Sequence, residues 1–264
     1  MSDATRRLLD GAAARVICAR LVRESPAFFV RELVRPPGIH VYHVRENGMR
    51  VAIRHRSVDA ATLAEAFYHH WYDPPAEVAA AVGSPTRILD LGGNIGIFGV
   101  KAVAAWPEAA VVAYEPDPAN AEVHDRVIAA NGLGARWTVI HAAAGAAEGE
   151  VRLAAGRGPG SFVLAEGASD ERELAVQLCD VMPELTRSDF VKIDIEGGEW
   201  PILTDPRFAA NPPRALVLEY HQMGCPAAVA SREAQRLIEA AGLQMRTIWD
   251  SPQDGVGMLW AWRP

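Results

Sequence analysis

A basic excess is missing from this chain: 33 acidic residues outnumber 26 lysines and arginines, for a formal charge of −7. Such a field repels polyphosphates, so nucleic acid is not an expected substrate. Cysteine is scarce. Cys18, Cys179 and Cys225 are far apart and form no C-x-x-C pair, which argues against a disulfide framework or a zinc site and suits reduced thiols in the cytoplasm. No apolar run approaches the roughly 20 residues of a membrane helix. The stretch Met1 to Arg7 lacks the apolar core of a secretory signal, so neither export nor a membrane partner is expected. Repeats and heptads are absent, as is the G-x-G-x-x-G turn of dinucleotide sites. What remains is 264 residues, half of them hydrophobic, enough for one large α/β unit with an N-terminal elaboration.

The chain is organised around residues 87–99. Ile88, Leu89 and Leu91 form a short apolar run that stops at Gly92, Gly93 and Gly96, as a buried parallel strand does when it turns into a helix. Glycine at that turn lets a ligand come close to the backbone. The pattern is D-x-G-x-x-x-G, with Asp90 at the strand's end. A pyrophosphate would want bare N–H groups there. An acidic residue suits a ligand carrying an ammonium group, such as the aminoacyl end of S-adenosylmethionine. The next apolar run ends at Glu115, 25 residues after Asp90, near the roughly 20-residue offset of an acidic residue that binds ribose hydroxyls. Together these predict a nucleoside-binding β-α-β unit.

In chain order, an apolar stripe through Leu8, Leu9, Ala12, Val16, Ala19 and Leu21 predicts a helix over 3–24, its arginines forming a solvated face or touching an acidic substrate. Residues 39–42 and 49–53 predict a hairpin turning at Glu46-Asn47-Gly48. A helix through Leu63, Ala66, Phe67 and Trp71 follows. Its end, with Tyr68, His69, His70 and Tyr72, reads either as packing on the sheet or as a lid lining an acceptor pocket. The expected division is an N-terminal segment 1–80 and a ligand-binding domain 81–264 with an insertion at 145–180. Strands are expected at 87–91, 110–115, 136–142 and 215–221, with another within Asp189–Glu199 that runs into a glycine turn and then a helix through Ile202, and helices at 96–105, 118–131 and 231–241. Two final strands, 245–249 and 257–262, pair antiparallel. The loop Gly156–Gly160 and short strands at Val151–Leu153 and Ser161–Leu164 fall within the insertion. The fold class is therefore α/β, a Rossmann-like, mostly parallel sheet of about seven strands.

Neighbouring strands of this sheet end in carboxylates: Asp90, Glu115, Asp194 with Glu196, and Glu219 with His221. Parallel strand ends open on one edge, so these side chains can converge on one crevice. Residues two apart on a strand face the same side. The stretch 50–262 resembles the FkbM family of S-adenosylmethionine-dependent methyltransferases, of the class I methyltransferase fold. The resemblance rests on Asp90-Leu-Gly-Gly-Asn-Ile-Gly96, Ala113-Tyr-Glu-Pro116, Lys192-Ile-Asp-Ile-Glu-Gly-Gly-Glu199, Glu219-Tyr-His221 and Arg54-His-Arg-Ser-Val-Asp59. It implies O-methylation of a sugar, polyketide or other secondary metabolite. It implies also that Asp90, Gly92 and Asn94 hold the methionine end of the cofactor, Glu115 its ribose, and residues 141–143, centred on Ala142, its adenine. Cys179-Asp180 departs from the family's Leu-Asp and leaves the role of Asp180 open.

A neutral hydroxyl acceptor benefits from a base, and His221 titrates in the right range, with Asp194 or Glu219 to orient it. His69 and His70 are rival bases. A Mg²⁺ ion on Asp194, Glu196 and His221 is the less favoured alternative. Tyr68, His69, His70, Tyr72 and Glu196 are the expected acceptor contacts, the partner being a small molecule and the chain possibly a homodimer. Two other classes stay open: an NAD-dependent oxidoreductase or epimerase, and a non-catalytic binding protein of the same fold.

Overall fold

The structure is a computed structural model that describes residues 12–154, 162–163 and 173–264. Leu8 and Leu9 of the expected first helix, the Gly156–Gly160 loop, Ser161 and Leu164 lie outside the described residues. Helices α1 (Ala12–Leu21) and α2 (Ser25–Val34) precede the hairpin β1 (Ile39–His43) and β2 (Arg50–Arg54), followed by α3 (Asp59–Phe67) and α4 (Ala76–Val82). The central unit then runs β3 (Arg87–Leu91), α5 (Ile97–Ala105), β4 (Ala110–Tyr114), α6 (Pro118–Asn131) and β5 (Trp137–Ile140). Four short strands follow: β6 (Ala143–Gly145), β7 (Gly149–Ala154), β8 (Phe162–Val163) and β9 (Glu173–Asp180). After α7 (Met182–Leu185) come β10 (Phe190–Ile193), α8 (Glu199–Thr204), α9 (Pro206–Ala210), β11 (Ala215–His221), α10 (Ala230–Ala240), β12 (Gln244–Ser251) and β13 (Val256–Trp262).

Seven strands form the main sheet in the order β12-β13-β11-β10-β3-β4-β5. All pairings from β11 to β5 are parallel, and β13 alone runs antiparallel to its neighbours. This is the sheet of the class I methyltransferase fold, as expected. Alternation along β3 sends Ile88 to one face and Leu89 with Leu91 to the other, so each face has its own core. On the first face Phe28, Tyr42 and Leu63 from the N-terminal elements join Val100, Val127, Trp137 and Trp260. On the second, Trp200, Phe208 and Ile238 cover Leu89, Val191 and Leu216. Each such fully buried apolar side chain stabilises the fold by about 1.5–3 kcal/mol before entropic costs.

The hairpin forms where expected, with the Gly48 N–H donating to Val44 O at 2.9 Å across its turn. Asn131 binds Arg50 at the far end of β2. Helix α6 has the anticipated bounds because Asp117 caps it, accepting from the Ala119 N–H at 2.9 Å, and Gly132 closes it at φ +67°. The expected strand 136–142 divides. β5 stays in the main sheet, while β6 starts a second sheet of order β6-β9-β7-β8. The helix expected to reach Trp71 ends at Phe67, and His70 adopts φ +56°. A left-handed residue with a side chain cannot continue a helix, and residues 68–75 form an irregular strap that packs through Trp71 on Trp249 and through Tyr72 on Phe98.

Candidate active site

Parallel register sets the site. Lys192 on β10 lies directly opposite Asp90 on β3, and Asp90, Glu115, Asp194 and His221 stand at the same edge of adjacent strands. After Leu91 the chain turns through Gly92 (φ +81°), Asn94 (φ +45°) and Gly96 (φ +83°). A Cβ at Gly92 would lie 1.7 Å from the Asp194 carbonyl oxygen, and one at Gly96 would lie 2.8 Å from the His124 ring. Only glycine allows the turn to sit this close to both. Asp90 is fully buried, and neither of its oxygens nor the Asn94 Oδ1 meets a hydrogen-bond donor among the described residues. Burial raises the Asp90 carboxyl above its ordinary pKa, opposed by Lys192, whose Nζ is 3.4 Å away.

Glu115 is held at both oxygens. Its Oε2 accepts from the Asn94 N–H at 2.7 Å, and its Oε1 from the Asp117 N–H at 2.9 Å and the Asn120 amide at 3.5 Å. Burial pushes the carboxyl up to about 7 despite those two backbone donors. Asn94 is gripped on its other side by His124, whose Nδ1 lies 3.2 Å from the Asn94 carbonyl oxygen. A carbonyl only accepts, so Nδ1 carries the proton. Burial lowers the His124 pKa to about 3, so the ring is neutral. Ala142 is buried where the chain bends from β5 to β6, while His141 beside it is exposed and pairs with Asp125 at 3.0 Å. A buried carboxylate whose oxygens accept no hydrogen bond among the described residues, with Lys192 as its charge partner, lies next to the glycine cradle; it and a second carboxylate fixed by backbone donors fit the ammonium and ribose of S-adenosylmethionine. Buried acceptors without donors are costly, and such a ligand supplies the donors.

At the ends of β10 and β11 three carboxylates surround one imidazole. His221 Nδ1 lies 3.2 Å from Glu199 Oε1, and its Nε2 lies 3.3 Å from Glu196 and 3.9 Å from Glu219. Glu199, not Asp194 or Glu219, is therefore the group that orients the ring. It has no exposed surface and also accepts the His221 N–H at 2.6 Å and the Gly197 N–H at 2.9 Å. Burial disfavours the imidazolium, but Glu199, Glu196 and Glu219 outweigh it and raise the His221 pKa to about 10. Glu219 is itself pushed well above the carboxylate range by burial and by the charge of Asp194, with His221 opposing. Asp194, Glu219 and His221 each offer one ligand atom within 4.8 Å of the others. The trio that could hold a cation thus contains Glu219 where Glu196 was expected.

Lys192 has a role that its sequence position did not assign. Its Nζ donates to Gly92 O at 2.5 Å and lies 3.4 Å from both Asp90 and Asp194. Burial works against its charge, yet the two carboxylates hold its pKa above the ordinary lysine value. A lysine inside the buried run Phe190-Val-Lys-Ile193 must be paired, and that was the available signal. His124 shares the buried helical spacing of Asn120, Ala121, Val127 and Ile128, so periodicity pointed inward but not to the turn. Asp180 accepts the Met182 N–H at 3.0 Å and pairs with Arg207 at 2.7 Å.

The strap contributes unequally. Tyr72 is buried against Phe98, and its phenol is pushed well above its usual pKa by burial and by Asp194 and Glu219. It therefore lies within reach of the acidic cluster's field. Tyr68 is exposed, and His70 pairs with Asp73 at 2.8 Å on the surface. The His69 ring stacks on Trp71 with centroids 5.4 Å apart, and burial and His70 lower its pKa. No contact joins Tyr68, His69 or His70 to the carboxylate cluster among the described residues.

Comparison with solved structures returns methyltransferases. A precorrin-6y C5,15-methyltransferase from Geobacter metallireducens GS-15 is 13% identical, covering 72% of this chain and 87% of its own, with a TM-score of 0.43. The O-methyltransferase TomG of Streptomyces achromogenes, involved in tomaymycin synthesis and solved with S-adenosylmethionine, is 16% identical over 77% of this chain and 88% of its own, with a TM-score of 0.42. The human methyltransferase 10 domain containing protein is 14% identical over 83% and 90%, with a TM-score of 0.45. No curated protein matches the chain. The model of the methyltransferase FkbM domain matches residues 90–236, a span that opens at Asp90 and contains Glu115, Lys192, Glu199 and His221. The chain belongs to the FkbM family of S-adenosylmethionine-dependent methyltransferases.

Proposed function

We propose that this protein methylates a hydroxyl oxygen of a small molecule in the cytoplasm, with a sugar, polyketide or other secondary metabolite as the acceptor class. The observation that carries this proposal is the cluster of Glu219, His221, Glu199 and Asp194 beside the Asp90–Gly96 turn. An alcohol is a weak nucleophile unless its proton is removed as the new bond forms. When bound, S-adenosylmethionine supplies an electrophilic methyl group. The chain's own task is to hold the acceptor oxygen in line with it and to receive the proton. His221 already holds a proton at neutral pH, since three carboxylates raise it to about 10. Glu219, raised by burial and Asp194, is the better proton acceptor, and the neighbouring imidazolium balances its charge. Tyr72 borders the acceptor, and Glu196 joins it through His221. No helix among the described residues is long and apolar enough to cross a membrane.

A second mechanism has one specific observation in its favour. Asp194, Glu219 and His221 converge within 4.8 Å, and carboxylate oxygens suit a hard divalent cation such as Mg²⁺. Mass spectrometry on a panel of hydroxylated acceptors tests the whole proposal. A new methyl ether together with S-adenosylhomocysteine supports it, and methylation confined to nitrogen or carbon contradicts it. Retained turnover in EDTA favours the base, and loss restored by Mg²⁺ favours the cation.

A further inference from the structure

We infer that the N-terminal hairpin braces the ribose-binding carboxylate through Arg54, making Arg54 a positioning residue for the cofactor. This rests on the assignment of Glu115 to the ribose. Arg54 ends β2, outside the span of the family match, and its guanidinium is shared between two elements. Nε and Nη2 donate to the two oxygens of Asp59 at 2.9 Å each, a forked pair with a carboxylate only 1% exposed. The Arg54 N–H also donates to Asp59, at 2.9 Å. The remaining donors reach across to the first turn of α6: Nη1 to Ala119 O at 2.8 Å and Nη2 to Asn120 Oδ1 at 2.7 Å.

The last contact carries the consequence. A guanidinium only donates, so it fixes the Asn120 side chain with its oxygen toward Arg54. The Asn120 NH₂ group is thereby turned toward Glu115, 3.5 Å from Oε1. Glu115 in turn receives the Asn94 and Asp117 N–H groups. A continuous path thus runs from Asp59 through Arg54 and Asn120 to Glu115 and the glycine turn. At the other end of α6, Arg50 donates to Ala130 O at 2.6 Å and its N–H to Asn131. The hairpin therefore grips the helix at both ends, but only the Arg54 grip leads to the cofactor side. Lysine cannot replace the fork, since its single ammonium cannot span Asp59 and Asn120 in fixed geometry.

Calorimetry with S-adenosylhomocysteine on the full chain tests this, using Arg54→Met, Arg54→Lys, Asn120→Ala and Arg50→Met. The brace predicts that Arg54→Met raises Kd by about 3- to 30-fold, the range over which positioning contacts modulate binding. Arg54→Lys recovers part of that, and Asn120→Ala with Arg54→Met costs no more than either alone. KM for S-adenosylmethionine rises while kcat holds, a split that general loosening does not give. Arg50→Met serves as the control and leaves Kd unchanged. Equal losses in Arg50→Met and Arg54→Met, or wild-type affinity in a folded Arg54→Met, overturn the brace. Additive losses in the double variant do so too. Absence of binding by the wild type instead overturns the ribose assignment.

Discussion

Glu199 accepts both the backbone N–H and the ring Nδ1 of His221, at 2.6 and 3.2 Å. A buried carboxylate on both groups fixes the ring's position and its charge. The imidazole then faces Glu196 and Glu219 as a cation rather than as a neutral base. Trp200 seals the arrangement, donating from Nε1 to His221 O at 3.0 Å and to Met223 O at 3.1 Å.

The pH dependence of kcat follows from that geometry. If Glu219 receives the proton, kcat rises with pH through a value above the ordinary carboxylate range. If His221 receives it, kcat climbs until about 10. Glu219→Gln lowers kcat by about 10²–10⁴-fold, the scale of general base catalysis, with affinity for S-adenosylhomocysteine preserved. Normal turnover in Glu219→Gln removes it from the mechanism.

The same imidazolium affects stability. Its pKa is about 10 in the folded chain against an ordinary 6.5, so the folded state holds the proton more tightly. That contribution is complete below about pH 6.5 and is lost as pH rises through about 10. Urea midpoints of the wild type are therefore expected to fall between pH 7 and 10, and to fall less in His221→Gln. Parallel curves for the two proteins contradict the pairing.

Lys192 is the single cation between Asp90 and Asp194 among the contacts of those two residues. Lys192→Met leaves both carboxylates without it in a buried setting. Breaking a buried pair in this way costs about 3–5 kcal/mol, readable as a lowered urea midpoint at pH 7. The loss shrinks at low pH, where protonation neutralises the carboxylates. A midpoint equal to wild type contradicts the role.

The fold was legible wherever local chemistry and burial agreed. Asp117, Pro118 and Gly132 mark both ends of α6, and Asn47-Gly48 marks the hairpin. Helix α2 was not anticipated, because Val30, Leu33 and Val34 are exposed and spoil its amphipathic pattern. The extension of α3 to Trp71 does not form: the helix ends at Phe67, and His70 beyond it adopts φ +56°. In the site, strand ends were readable because parallel topology places them together, which brought Asp90, Glu115, Asp194, Glu219 and His221 to one edge. The partner of His221 was not readable. Three carboxylates lie within 4 Å of its ring, and only side-chain geometry shows that Glu199 takes Nδ1.

Tyr72 is the strap residue that tests whether the strap lines the proposed acceptor pocket. Removing residues 1–75 is a poor test, because Phe28, Tyr42 and Leu63 belong to the core of one sheet face. Tyr72→Phe keeps the contact with Phe98 and deletes only the hydroxyl. If the strap lines the acceptor pocket, acceptor KM rises while affinity for S-adenosylhomocysteine and the melting temperature stay at wild-type values. An unchanged KM removes Tyr72 from the pocket.

The central claim is that Asp90 and Glu115 frame a site for S-adenosylmethionine, and isothermal calorimetry with S-adenosylhomocysteine tests it most directly. Wild type is predicted to bind S-adenosylhomocysteine and not NAD. Binding to ribose hydroxyls favours ionised Glu115, so affinity should increase as pH rises through about 7. Glu115→Ala should weaken binding by about 1–3 kcal/mol, the range for hydrogen bonds to a charged group, and abolish that pH dependence. Wild-type affinity in Glu115→Ala, or binding of NAD in place of S-adenosylhomocysteine, would contradict the account.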